Sequence, residues 1–138
     1  MRRLLAATLF FGVAIAACGA EDDKFTDCHI GELTGTWRTH YTETDGNCGP
    51  ISDETGIFDP NAPLPAGCTS QGSSVSANKC RGDIAVTCPT TDNNGTQAWV
   101  IVVTQTGPGS LKGTGTVQLN HATLGNCRST YSMTLTKL

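Results

Sequence analysis

Three histidines, His29, His40 and His121, and seven cysteines are the residues of this chain best suited to acid-base or nucleophilic work. Nucleophilic catalysis needs a nucleophile, a base and an orienting group held together, and no G-x-S-x-G elbow or other serine-hydrolase signature occurs. The histidines lie far apart with no partner motif, and His40 beside Tyr41 reads as a polar surface residue. Oxygen ligands gather at Asp45, Asn47, Asp53, Glu54, Asp59 and Asn61, and again at Asp92, Asn93 and Asn94. Calcium takes such groups, but the EF-hand spacing is missing and the same residues are ordinary turn formers. No CxxC or HxxxH pair points to zinc, and no cofactor motif occurs. The expectation is a chain without catalytic residues, metal or cofactor. Arg81-Gly82-Asp83 spells the tripeptide that integrins recognise, but it adjoins an apolar strand and reads as a chance occurrence.

The cysteines are better explained by export. Met1, Arg2 and Arg3 precede an apolar run over residues 4–17, the layout of a signal peptide. At 14 residues the run is too short to span about 30 Å of hydrocarbon, which takes roughly 18 or more. It ends in Ile15-Ala16-Ala17-Cys18, which resembles the lipobox of bacterial lipoproteins. That resemblance implies a diacylglyceryl group on the Cys18 thiol, cleavage after Ala17, acylation of the freed amine and attachment to the membrane. Gly19 stands where an aspartate tends to retain such proteins in the inner membrane, so the resemblance also implies the outer membrane of the cell envelope. Several acyl chains on one residue make a durable anchor, where one binds only marginally. Assigning Cys18 to lipid leaves Cys28, Cys48, Cys68, Cys80, Cys88 and Cys127, an even set that can pair completely. A bridged sulfur is not a thiolate, so these six are poor nucleophiles. In such a bacterium the Asn94-Gly95-Thr96 triplet is not a default glycosylation site.

The mature chain, residues 18–138, is long enough for one modest core. Its organisation reads as a signal peptide over 1–17, a lipidated cysteine with a polar tether over 18–27, and a single domain over 28–138. Losing Arg2 and Arg3 lowers the basic count from 9 to 7 against 12 acidic residues, moving the net charge from -3 to -5. No Lys/Arg cluster exists, which argues against nucleic acid. Thr, Ser, Asn and Gly are abundant after the signal and helix-forming runs are not, so strands and turns are expected.

Period-two alternation places the strands, because successive side chains point to opposite faces. Over 34–43, Trp37, Thr39 and Tyr41 share a face opposite Arg38 and His40. Residues 44–74 read as a long loop punctuated by Asp45-Gly46, Gly49-Pro50, Asp59-Pro60 and Pro63-Leu64-Pro65, with Ile57 and Phe58 as its apolar anchors. Over 80–88, Cys80, Gly82, Ile84, Val86 and Cys88 share one face. The stretch 97–106 is apolar on both faces and reads as a central strand covered on each side. Leu111, Gly113, Gly115, Val117 and Leu119 then alternate with polar residues, and Tyr131, Met133 and Leu135 point inward from the last strand, 127–138. Short turns between consecutive strands make an antiparallel meander, so the fold class is all-β: a small barrel, curled sheet or sandwich stapled by disulfides. The Gly35-x-Trp37 opening followed by a meander resembles the lipocalin-like barrels. That resemblance implies that Trp37 packs near a late arginine, here Arg128.

The six mature cysteines should form three bridges. A continuous strand over 80–88 puts its ends roughly 26 Å apart, and a bridge needs Cα atoms within about 7 Å, so Cys80 and Cys88 do not pair. Strand directions favour Cys48 or Cys68 with Cys80, then Cys28 or Cys88 with Cys127. The expected function is a non-enzymatic envelope module, binding or structural, that presents the segment between Cys48 and Cys68 to an unidentified protein or small-molecule partner. The alternatives are a small envelope enzyme using His40, Tyr41 and Asp83, or a disulfide-locked inhibitor.

Overall fold

The computed structural model describes residue 28 and residues 33–59, 62–76 and 80–138. The signal peptide, Cys18, the tether, His29 and Asn61 lie outside the described residues. Seven strands form one antiparallel sheet: β1 (Gly35–Gly46), β2 (Glu54–Phe58), β3 (Thr69–Val75), β4 (Arg81–Pro89), β5 (Gly95–Gly107), β6 (Ser110–His121) and β7 (Gly125–Lys137). Their order across the sheet is β2-β1-β7-β6-β5-β4-β3. The sheet curls into a half-barrel.

Alternation decides which side is inside. Val86, Trp99, Val117 and Ser129 lie side by side across four strands, as do Ile84, Ile101, Gly115 and Tyr131, and all eight are buried. Trp99, Tyr41 and Tyr131 meet at the centre, with ring centroids 6.3 to 6.4 Å apart. Gly115 lies under this cluster. A Cβ there would stand 2.8 Å from the Met133 sulfur, so glycine lets the concave face close on itself. Strand β5 departs from expectation, because Trp99 and Ile101 are buried while Val100 is 52% exposed. A curled single sheet covers only its concave face, so β5 is central in order but not sandwiched.

The stretch 44–74 is not one loop. Strand β2 pairs with β1 and strand β3 with β4, and they form the two edges of the sheet. Their sequences concealed them, because ETGIF and TSQGSSV lack sustained alternation. An edge strand paired on one side needs less apolar surface, and short, polar or bulged edges resist pairing with another chain. β2 has 5 residues, and β3 is polar and shifts register between Ser70 and Gly72.

Three disulfides staple the sheet: Cys28–Cys80, Cys48–Cys127 and Cys68–Cys88. Cys80 and Cys88 do not pair, as the strand length requires. The expected partners were wrong, and the reason is direction. β1 and β4 run the same way in the sheet, four places apart, so Cys28 and Cys80 fall together at the end where these strands begin. Cys48 follows β1 and Cys68 precedes β3, which puts both at the other end with Cys88 and Cys127.

Candidate apolar cleft and the polar groups around it

The two ends of the half-barrel differ. The end carrying Cys48–Cys127 and Cys68–Cys88 is filled by Val86, Trp99, Val117, Leu119 and Tyr131. A polar lattice seals its corner. Ser129, 2% exposed, accepts the Cys48 amide at 2.7 Å and donates to Glu43. Glu43 also accepts the Gly49 amide at 3.2 Å, and Tyr131 donates to the Gly49 carbonyl at 2.7 Å. Burial pushes the Tyr131 phenol above its ordinary value. Gly46, at φ +123°, sits against the Arg128 carbonyl and Ser129, where no Cβ fits. The buried polar groups of this lattice are satisfied by one another, so this corner is structural.

The opposite end, where Cys28 meets Cys80, is not filled. Trp37 from β1, Phe58 from β2, Val75 from β3, Ile84 from β4, Ile101 from β5 and Leu111 from β6 line a cleft of about 90 Å³. The Trp37 indole donates to the Leu33 carbonyl at 2.7 Å, which fixes the ring as one wall. Arg81, Asp83, Ser74 and Gln105 supply the polar part of the rim, and Ser74 donates to the Asp83 carboxylate. Trp37, Phe58 and Ile101 also wall a second hollow of about 220 Å³, which extends along β2 to Thr39, Tyr41 and Glu54. The two hollows therefore share a wall. Tyr41 Oη donates to Glu54 Oε2 at 3.3 Å. Burial raises the Glu54 carboxyl above its ordinary value, and burial with the adjacent Glu54 charge raises the Tyr41 phenol.

The other candidates are dispersed. His40 is on the outer face of β1, where its Nδ1 pairs with Asp53 at 2.6 Å in solvent. Tyr41 faces inward, and Asp83 is on β4, four places across the sheet, so these three do not converge. Arg81-Gly82-Asp83 is held within β4, paired on both sides. His121 has its side chain 2% exposed. Its Nδ1 accepts the Thr123 and Leu124 amides at 3.2 and 3.1 Å, so the proton resides on Nε2, which donates to Asp92 at 2.8 Å. Both ring nitrogens are occupied in holding turns. Hydrogen bonds from Thr90, the Asn94 amide and His121 hold the Asp92 carboxyl well below its ordinary value. Among the described residues, no three His, Cys, Asp or Glu side chains gather as a metal site would need. Arg128 lies at the Asn47 end of the sheet, where its amide donates to Asn47, whereas Trp37 pairs with Lys137 at the opposite end. The Trp37–Arg128 juxtaposition implied by the lipocalin-like resemblance is absent.

No family model, curated protein or solved structure matches this chain. The cleft's own chemistry therefore carries the functional reading.

The cleft was not legible in the sequence because Phe58 and Val75 come from the two strands that alternation missed. Glu54 figured there only as one of several oxygen ligands. The one signal that would have singled it out is its register opposite Thr39, which turns it to the same face as Tyr41.

Proposed function

We propose that this chain is an envelope lipoprotein, anchored through Cys18 in the outer membrane, whose β domain is a non-enzymatic module binding a small apolar ligand. The anchor rests on the Ile15-Ala16-Ala17-Cys18 lipobox resemblance, and the binding role on the contrast between the two ends of the concave face: one packed, the other an apolar cleft with a polar rim. Pockets of this character, mostly apolar with a few placed polar groups, are the usual form of small-molecule sites. The ligand is an apolar body, and any polar group it carries would meet the rim or Tyr41 and Glu54. A titration of the full chain with a neutral naphthyl fluorophore tests this. Saturable binding that competing apolar ligands displace, and that Leu111→Arg abolishes while leaving the circular dichroism spectrum intact, supports the reading. Binding that is absent, or that survives Leu111→Arg and Phe58→Arg alike, refutes it.

A second reading, a small envelope enzyme, has one observation in its favour. Glu54 is a carboxyl of raised proton affinity in a hollow beside Tyr41, and such groups cluster at functional sites. Turnover of an ester, peptide or glycoside substrate that Glu54→Gln removes would establish it.

A further inference from the structure

The route by which the chain reaches the membrane bears on what the cleft takes. Cys28 is bonded to Cys80, and Cys80 itself lines the cleft. Leu33, between Cys28 and the start of β1, lines it too. Cys28, bonded to a residue of the lining, therefore lies at the cleft end of the sheet and not at the packed end. Cys28 is only ten positions after Cys18, and an extended segment of that length reaches at most about 36 Å. The packed end, with the 46–53 connection and the turns after β4 and β6, lies at the far side of the sheet from Cys28.

We infer that the cleft faces the bilayer to which Cys18 tethers the domain and that its ligand is an acyl chain of a membrane lipid. This rests on reading Cys18 as a lipid anchor and the cleft as a binding site. The physical argument is one of path. An acyl chain passing from bilayer to cleft exchanges one apolar surrounding for another, and a mouth held against the surface spares it a passage through water. The lining suits a methylene chain, being aliphatic and aromatic from Trp37 to Leu111, with its charged groups, Arg81 and Asp83, at the rim. The staple holds Cys28 against Cys80, so the tether acts on the domain from the cleft end.

The test uses the full lipidated chain in phosphatidylcholine vesicles whose acyl chains are brominated near the terminal methyl, with Trp37 emission read in a Trp99→Phe background. Bromine quenches an indole only at contact range, and chain ends in the bilayer centre do not touch a domain resting on the surface. We expect Trp37 emission to fall by at least half, and the fall to vanish with Leu111→Arg or Phe58→Arg. Quenching that persists in both variants overturns the inference, since the contact is then outside the cleft. Quenching by free brominated fatty acid but not by the vesicles also overturns it, while leaving the cleft as a binding site. Quenching by neither removes both. The mass of the N-terminal peptide from the same preparation reads the anchor independently: an acylated Cys18 is expected, and an unmodified one overturns the inference at its base.

Discussion

Replacing Cys48 and Cys127 together by alanine opens a bridge that spans 79 residues of sequence, against 52 for Cys28–Cys80 and 20 for Cys68–Cys88. A disulfide stabilises chiefly by withholding conformations from the unfolded chain, and the loss grows with the logarithm of the loop it closes. On that account the three bridges contribute about 4.5, 4.1 and 3.3 kcal/mol in that order. Five of the six cysteines are buried and Cys68 is half-buried, so the cost of the vacated sulfurs is similar in each pair and the ranking reflects the loops. The native corner at Cys48 should survive, because Asn47, Ser129, Gly49 and Tyr131 hold it by hydrogen bonds that do not involve sulfur. Urea unfolding of the three double variants, each with the other two bridges confirmed by non-reducing peptide mapping, measures this. Stability should fall most for Cys48/Cys127 and least for Cys68/Cys88, and the dependence on urea should steepen as the unfolded chain expands. Against a total of about 5 to 15 kcal/mol, the first variant should lose roughly a third to nine-tenths of its stability. A larger loss for Cys68/Cys88 than for Cys48/Cys127 would show that local strain or packing dominates and would refute the reasoning.

Glu54 and Asp92 should respond to pH with opposite signs. Glu54 has its proton affinity raised on folding, so its contribution is present below the ordinary carboxylate range and lost as pH rises through the folded value. Glu54→Gln should therefore raise the melting temperature at pH 7, with the gain shrinking as pH falls toward 4.5. Asp92 is depressed, so its contribution is present above its ordinary value of 3.8 and lost as pH falls below it. Asp92→Asn should lower the melting temperature at pH 7 and make no difference in acid. The two tryptophans should also part. Trp99 Nε1 is buried with no partner among the described residues, and an unsatisfied donor costs about 1 to 3 kcal/mol. Trp99→Phe should then be nearly neutral in urea unfolding, whereas Trp37→Phe forfeits the bond to Leu33 and should cost about 1 kcal/mol or more. Cys18→Ser should abolish uptake of labelled fatty acid and release the protein from the membrane fraction or leave the precursor uncut.

Five of the seven strands were legible in the sequence, because a strand with one buried face must alternate. Val117 and Leu119 on β6, or Tyr131 and Met133 on β7, announce their face without any partner being known. The two edges did not announce theirs. β3, with Ser, Thr, Gln and Gly in six of its positions, buries only Val75 fully. Disulfide pairing failed for a related reason. Which end of the sheet a cysteine reaches depends on counting every strand between, and β1 lies beside β7, not beside the strand after the long connection. The polar interior was half legible: alternation puts Ser129 and His121 inside, but their partners Cys48, Glu43 and Asp92 are 81, 86 and 29 residues away.

The central claim is that one end of the half-barrel takes an apolar ligand while the other is solid core. The two indole N–H groups separate these directly, since Trp37 walls the cleft and Trp99 sits in the packed centre. In a proton–nitrogen correlation spectrum of the labelled chain, titrated with a fatty acid, the Trp37 indole signal should shift and saturate while the Trp99 signal stays in place. A spectrum in which neither moves, or in which Trp99 moves and Trp37 does not, would contradict the account.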